Sequence, residues 1–143
     1  MLFLGASGAG KTTMTQRLSG WTSLADDTVI IHRTSDGFTV CGAPFGGSEG
    51  HARSGVAVPL ERMVFLEKNA PHLSLEPVSL SDGFATLMRR TMWFVDGGAL
   101  REMLVDLLVE LGGSVPMHRL RSSLNHPLEG CFTRPALGSI ACS

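Results

Sequence analysis

The chain reads as an α/β protein, a mixed β-sheet carrying a P-loop, and three observations predict that class. The stretch GASGAGKTT, from Gly5 to Thr13, lies between a short apolar run and a helical one. Two β-prone runs flank Asp36-Gly37, a hairpin signal. After one helix comes a hairpin and a long strand-loop-strand section, and a doubly wound domain would instead alternate strand and helix throughout.

Each element has its own local signal. Met1 to Leu4 is a short buried strand running into the loop. Lys11 to Leu18 is a helix, with Met14 and Leu18 as its apolar stripe and Gly20 as its stop. TVIIHR is β-branched and predicts a strand; TSDGFTV adds the hairpin partner, in which Cys41 is a small apolar residue. CGAPFGGSEGHARSG is glycine-rich and aperiodic, a loop of functional length. VAVPLERMVFLEK returns to strand, densest from Val64 to Leu66, and NAPHLS is a loop.

Two helices follow. Ser79 or Ser81 caps the first, which bears Phe84, Leu87, Met88 and Thr91. Asp96 caps the second, whose Leu100, Leu104, Leu107, Leu108 and Leu111 share a face and which Gly112 ends. SVPMHRLR is a last strand, with Arg119 and Arg121 alternating with Leu120. The organisation is one domain over residues 1–121 and a weakly patterned tail over 122–143.

Composition bounds the function. With 143 residues the chain fits a single core, and 43% apolar against 17% charged residues is a globular balance. A formal net charge of −1 gives no electrostatic case for bulk binding to nucleic acid or an anionic membrane. No apolar stretch is long enough to span a bilayer. The three cysteines form no C-x-x-C and, beside a P-loop, point to a reducing, cytoplasmic setting. His32, His72, His118 and His126 show no zinc spacing.

The chemistry sits in the loop. Gly5, Gly10, Lys11 and Thr12 fit G-x-x-x-x-G-K-[ST]. Glycine lets backbone N–H groups converge on phosphate oxygens without a Cβ in the way. Ser7, Gly8, Ala9 and Thr13 complete the cradle, Lys11 reaches the β- and γ-phosphates, and the Thr12 hydroxyl suits Mg²⁺. Behind the loop, Asp26-Asp27 offers a metal-directed carboxylate and a general base; on a strand the two would face opposite ways. A solvated turn or a cap is the other reading of that pair. Glu49 is a second metal ligand, a contact to the acceptor, or a charged loop residue. Arg53 and His51 offer a phosphate contact and a proton relay, or are merely exposed.

GASGAGKTT, LADD, DGFTVCGAPFGG, VPLERMVFLEK and VPMHRLR, in this order, resemble the HPr-kinase-like branch of the phosphoenolpyruvate carboxykinase fold, over residues 1–121. The resemblance implies a phosphoenolpyruvate carboxykinase-like mixed sheet, ATP with Mg²⁺, and phosphoryl transfer to a hydroxyl, a serine of a protein or peptide. It implies Lys11 as the P-loop lysine, Thr12 as the metal-binding hydroxyl residue, and Asp27 as proton acceptor and metal neighbour. Asp26 would position Asp27 or the metal, and Glu49 would stand for the family's downstream metal-binding glutamate. It allows a homo-oligomer.

Two departures mark the chain as a short or truncated member. Four residues precede Gly5, where the full enzymes carry another strand with a histidine, and their Arg-Gly signature after the hairpin is missing. Phosphorylase activity is therefore not implied. The reading is an ATP-dependent serine kinase-like phosphotransferase. Its alternative is a non-catalytic nucleotide-binding or scaffold relative, and a small-molecule kinase is a third, weaker option.

Overall fold

A computed structural model describes residues 1–18, 21–25, 27–43, 56–92, 97–122, 128 and 131–132. The elements are β1 (Leu2–Leu4), α1 (Lys11–Arg17), β2 (Val29–Thr34), β3 (Gly37–Gly42), β4 (Val58–Pro59) and β5 (Met63–Lys68). They continue with β6 (Ser74–Pro77), α2 (Leu80–Arg90), α3 (Ala99–Ser114) and β7 (Met117–Ser122). The protein is a mixed α/β fold. One sheet has the order β1-β5-β7-β6, with β1, β5 and β7 parallel and β6 antiparallel to β7. The second, β2-β3-β4, is antiparallel throughout.

Alternation along β5 assigns the two faces of the four-stranded sheet. Met63 and Phe65 enter a core shared with Phe38 and Val40 of β3, Leu87 of α2, and Leu108 and Leu111 of α3. Val64 joins Leu120 and Met14 of α1 on the opposite face, where Phe3 and Leu66 pack beside them. Val64, Met63 and Leu120 are wholly excluded from solvent. Each such side chain contributes about 1.5–3 kcal/mol of burial. This core fixes β1 against β5, and so fixes where the loop after β1 emerges.

The tail contributes to the second face. Leu128 is buried there, and the Phe132 ring meets Phe3 edge-on at 5.8 Å between centroids.

Several local expectations need correction. VAVPLERMVFLEK is two strands in different sheets: β4 ends at Pro59, and Leu60 turns its side chain into the core before β5 begins. Proline has no N–H for a further ladder bond, which suits a strand end. SLEP forms the strand β6, which begins at Ser74, the last residue of the expected NAPHLS loop. The hairpin turn is Ser35-Asp36, and pairing resumes at Gly37 opposite Thr34. Gly37 carries the positive φ of +123°.

In the helices, Ser79 is the cap of α2, its Oγ accepting from the Asp82 N–H at 3.2 Å. Gly98 precedes α3 as its N-cap, and Asp96 lies outside the described residues. Gly112 does not end α3, which runs on to Ser114. A Cβ on Gly112 would meet Leu80 Cδ1 at 2.8 Å, so the glycine lets α3 approach the start of α2. Leu100 lies on the expected face but is 61% exposed, because the packed part of α3 begins at Leu107. Arg89 and Arg90 are exposed, as expected.

Candidate phosphate-binding loop

β1 delivers the chain into the loop at Gly5, and α1 starts at Lys11. The Ala9 N–H donates to the Ala6 carbonyl at 3.0 Å, closing a turn, and the Met14 N–H donates to the Gly10 carbonyl at 2.8 Å, opening the helix. Gly8 and Gly10 have φ of +73° and +91°, left-handed backbone that a side chain would strain. Gly5 is needed for a different reason. A Cβ there would stand 2.7 Å from the Ala9 methyl, so the loop could not close this tightly on itself, while Leu66 Cβ of β5 at 3.6 Å would be in ordinary contact. Glycines at these three points give the loop its path.

Lys11 arches back over the loop and its Nζ donates to the carbonyls of Gly5 and Ala6, both at 3.3 Å. Thr12 is exposed; its carbonyl accepts from Thr15 Oγ1 at 2.9 Å. Ser7 and Gly8 are exposed, while Ala9, Gly10 and Thr13 are half-buried. The sequence-predicted loop residues therefore form one contiguous unit at the C-terminal end of β1.

A further cation reaches this loop. β5 is parallel to β1 with Leu4 opposite Phe65, and it continues to Lys68, alongside the loop. Lys68 Nζ donates to the Gly8 carbonyl at 2.7 Å. Sequence reasoning missed this residue. Its signal was the pair of charges, Glu67-Lys68, closing an apolar run. Glu67 faces the other way and lies 3.3 Å from Arg121 and 3.8 Å from Arg119, while Arg121 also meets Glu76 at 3.5 Å.

The acidic candidates are not gathered in the same way. Asp27 is exposed, just ahead of β2, and among the described residues no hydrogen bond or ion pair links it to the loop. Asp26, Glu49, His51 and Arg53 lie outside the described residues. Among the described residues no cluster of three or more His, Cys, Asp or Glu forms. The segment leading to Asp27 is anchored nonetheless. A Cβ on Gly42 would lie 2.6 Å from the Leu24 carbonyl oxygen, and the Ala43 N–H donates to Thr28 at 3.1 Å.

Two other features lie away from the loop. At the opposite end of the sheet, a groove of about 380 Å³ runs between Val78, Leu80, Gly112 and His118. His118 Nδ1 is enclosed and has no hydrogen-bond partner among the described residues, and burial, then the Arg62 charge, holds its pKa below the usual imidazole range. Across the β2–β3 hairpin, His32 Nε2 lies 3.7 Å from Cys41 Sγ. Among the described residues no helix is long and apolar enough to cross a membrane.

Comparison with family models, with curated proteins and with solved structures finds no match for this chain.

Proposed function

We propose that the chain binds ATP with Mg²⁺ through Gly5–Thr13, as a P-loop, and passes the γ-phosphoryl group to a hydroxyl, a serine of a protein or peptide. One observation carries the reading. The G-x-x-x-x-G-K-[ST] residues lie between a strand end and a helix start, with the Lys11 ammonium folded back onto the loop's own carbonyls. An ammonium held there by neutral carbonyls is available to a stronger acceptor. Phosphate oxygens are such acceptors, because they carry negative charge and add ion-pair attraction that a neutral carbonyl cannot supply. The wider likeness to the HPr-kinase-like, phosphoenolpyruvate carboxykinase-like fold belongs to the same proposal and rests on the sequence motifs.

In the proposed reaction the acceptor hydroxyl oxygen bonds to the γ-phosphorus and the bond to the β–γ bridging oxygen breaks, releasing ADP. The hydroxyl proton passes to the Asp27 carboxylate. Lys11 offsets the charge developing on the phosphoryl oxygens, and the loop holds the phosphates in line. The exposed hydroxyl side chain of Thr12, next to Lys11, suits Mg²⁺ arriving with the nucleotide, where the ion would neutralise phosphate charge. Asp26 and Glu49 remain assigned to positioning and metal binding through the family likeness. A reducing, cytoplasmic setting accords with ATP as substrate.

The test is incubation with γ-labelled ATP and hydroxyl-bearing peptides, using wild-type protein and Asp27→Asn. Labelled peptide from the wild type, and none from a variant of unchanged ATP affinity, supports the assignment. Equal transfer by the variant removes Asp27 as the base. ATP binding that depends on Lys11, without product from any acceptor, favours a non-catalytic nucleotide-binding protein.

A further inference from the structure

We infer that Lys68 is a second phosphate-contacting lysine, which exchanges the Gly8 carbonyl for a phosphate oxygen when a polyphosphate enters the loop. The inference rests on the nucleotide-binding reading of Gly5–Thr13 and assigns that site a residue from outside the loop sequence.

Strand alternation sorts the two charges that end β5. Val64 and Leu66 pack on the face that carries α1, and Lys68 has the same parity. Glu67 has the parity of Met63 and Phe65, and it meets Arg119 and Arg121 on that face. The carboxylate is thus turned away from the loop and matched by guanidinium groups, and the ammonium is turned toward it. The only partner Lys68 has among the described residues is a neutral carbonyl, Gly8 O at 2.7 Å.

Lys11 and Lys68 consequently donate to carbonyls of one short loop, Gly5 and Ala6 for the first and Gly8 for the second. Two ammonium groups on one loop repel each other, and an anion of more than one charge relieves that repulsion. The ligand class this favours is a nucleoside di- or triphosphate over a monophosphate. Lys68 is exposed, so its stem can swing from carbonyl to phosphate without disturbing the core.

The experiment is calorimetric titration of ATP, ADP and AMP, each with Mg²⁺, into wild type, Lys68→Met, Lys68→Glu and Lys68→Arg, with thermal melts of each. Lys68→Met should lower ATP affinity about tenfold, the size of one lost charge-assisted contact. The loss should shrink for ADP and vanish for AMP, deepen in Lys68→Glu, and be largely restored in Lys68→Arg. An equal loss for all three nucleotides would mean that Lys68 only tethers the loop, and it overturns the inference. Unchanged affinities in Lys68→Met and Lys68→Glu overturn it as well, while leaving nucleotide binding standing. Folded wild-type protein that binds none of the three overturns the nucleotide reading itself, and the inference with it.

Discussion

The Cα of Gly5 faces the Ala9 methyl so closely that a Cβ on Gly5 would stand 2.7 Å from it. Ala9 cannot retreat independently, because its N–H closes the turn onto Ala6. Gly5→Ala should therefore reshape the loop at a cost of about 1–3 kcal/mol, the range for overpacking a fitted site. Urea unfolding measures that cost. ATP titration of the same variant should show a much weaker complex, and wild-type affinity would mean that the loop tolerates another path.

Gly42→Ala tests how the segment before β2 is held. The new methyl would meet the backbone carbonyl of Leu24 at 2.6 Å, and backbone has no rotamer to yield. The expected outcome is again a loss of about 1–3 kcal/mol. Because that segment leads to Asp27, phosphoryl transfer should fall further than ATP affinity in this variant. Chemical denaturation and the labelled-ATP assay read the two effects separately.

Ser79→Ala removes the cap of α2. The Oγ accepts from the Asp82 N–H and also donates to Asp82 Oδ2 at 3.0 Å, so one side chain fixes both ends of the first turn. Loss of such a cap costs about 1 kcal/mol. A fall in the urea midpoint with an unchanged slope checks it.

His118 makes stability depend on pH in a defined direction. Burial and Arg62 hold its folded pKa below the unfolded value, so the unfolded chain binds the proton more readily. His118 therefore imposes no penalty at pH values above its unfolded pKa near 6.5. As pH falls through that value toward the lower folded pKa, stability is lost. His118→Leu, which cannot titrate, should flatten this part of the profile when unfolding free energies are compared from pH 7.5 downward. An unchanged slope would assign the pH dependence to other groups.

Much of this architecture was legible because local chemistry and tertiary placement agree. GASGAGKTT required a strand before it and a helix after it, and Leu4 and Lys11 mark those ends. A serine cap at Ser79 or Ser81, of which the fold uses Ser79, the α2 face at Leu87 and the alternation at Leu120 were likewise readable from the residues. The passage from β4 to β5 was not. Apolar residues resume at Met63 after only two charged ones, Glu61-Arg62, while the pairing partner changes from β3 to β1 and β7. β6 is four residues ending in proline, too short to show a period. Gly112 resembled a stop signal because a close helix approach and a helix end ask for the same residue.

The site was legible only in part, for a related reason. Lys11 is contiguous with its loop, so spacing identifies it. Lys68 reaches the same loop through parallel pairing of strands far apart in sequence, and no short motif encodes that meeting. Spacing behind the loop marks only the pair Asp26-Asp27; Asp27 as the base rests on the family likeness, and its exposed position ahead of β2 leaves its role to the transfer assay.

The central claim, that Gly5–Thr13 holds nucleotide phosphates, is tested most directly by titrating ATP with Mg²⁺ into folded wild-type protein and Lys11→Ala. The account predicts saturable binding by the wild type and an affinity at least about tenfold weaker in the variant, whose melting temperature stays close to the wild type. Folded wild-type protein that binds no ATP, or a variant that binds it equally well, would contradict the claim.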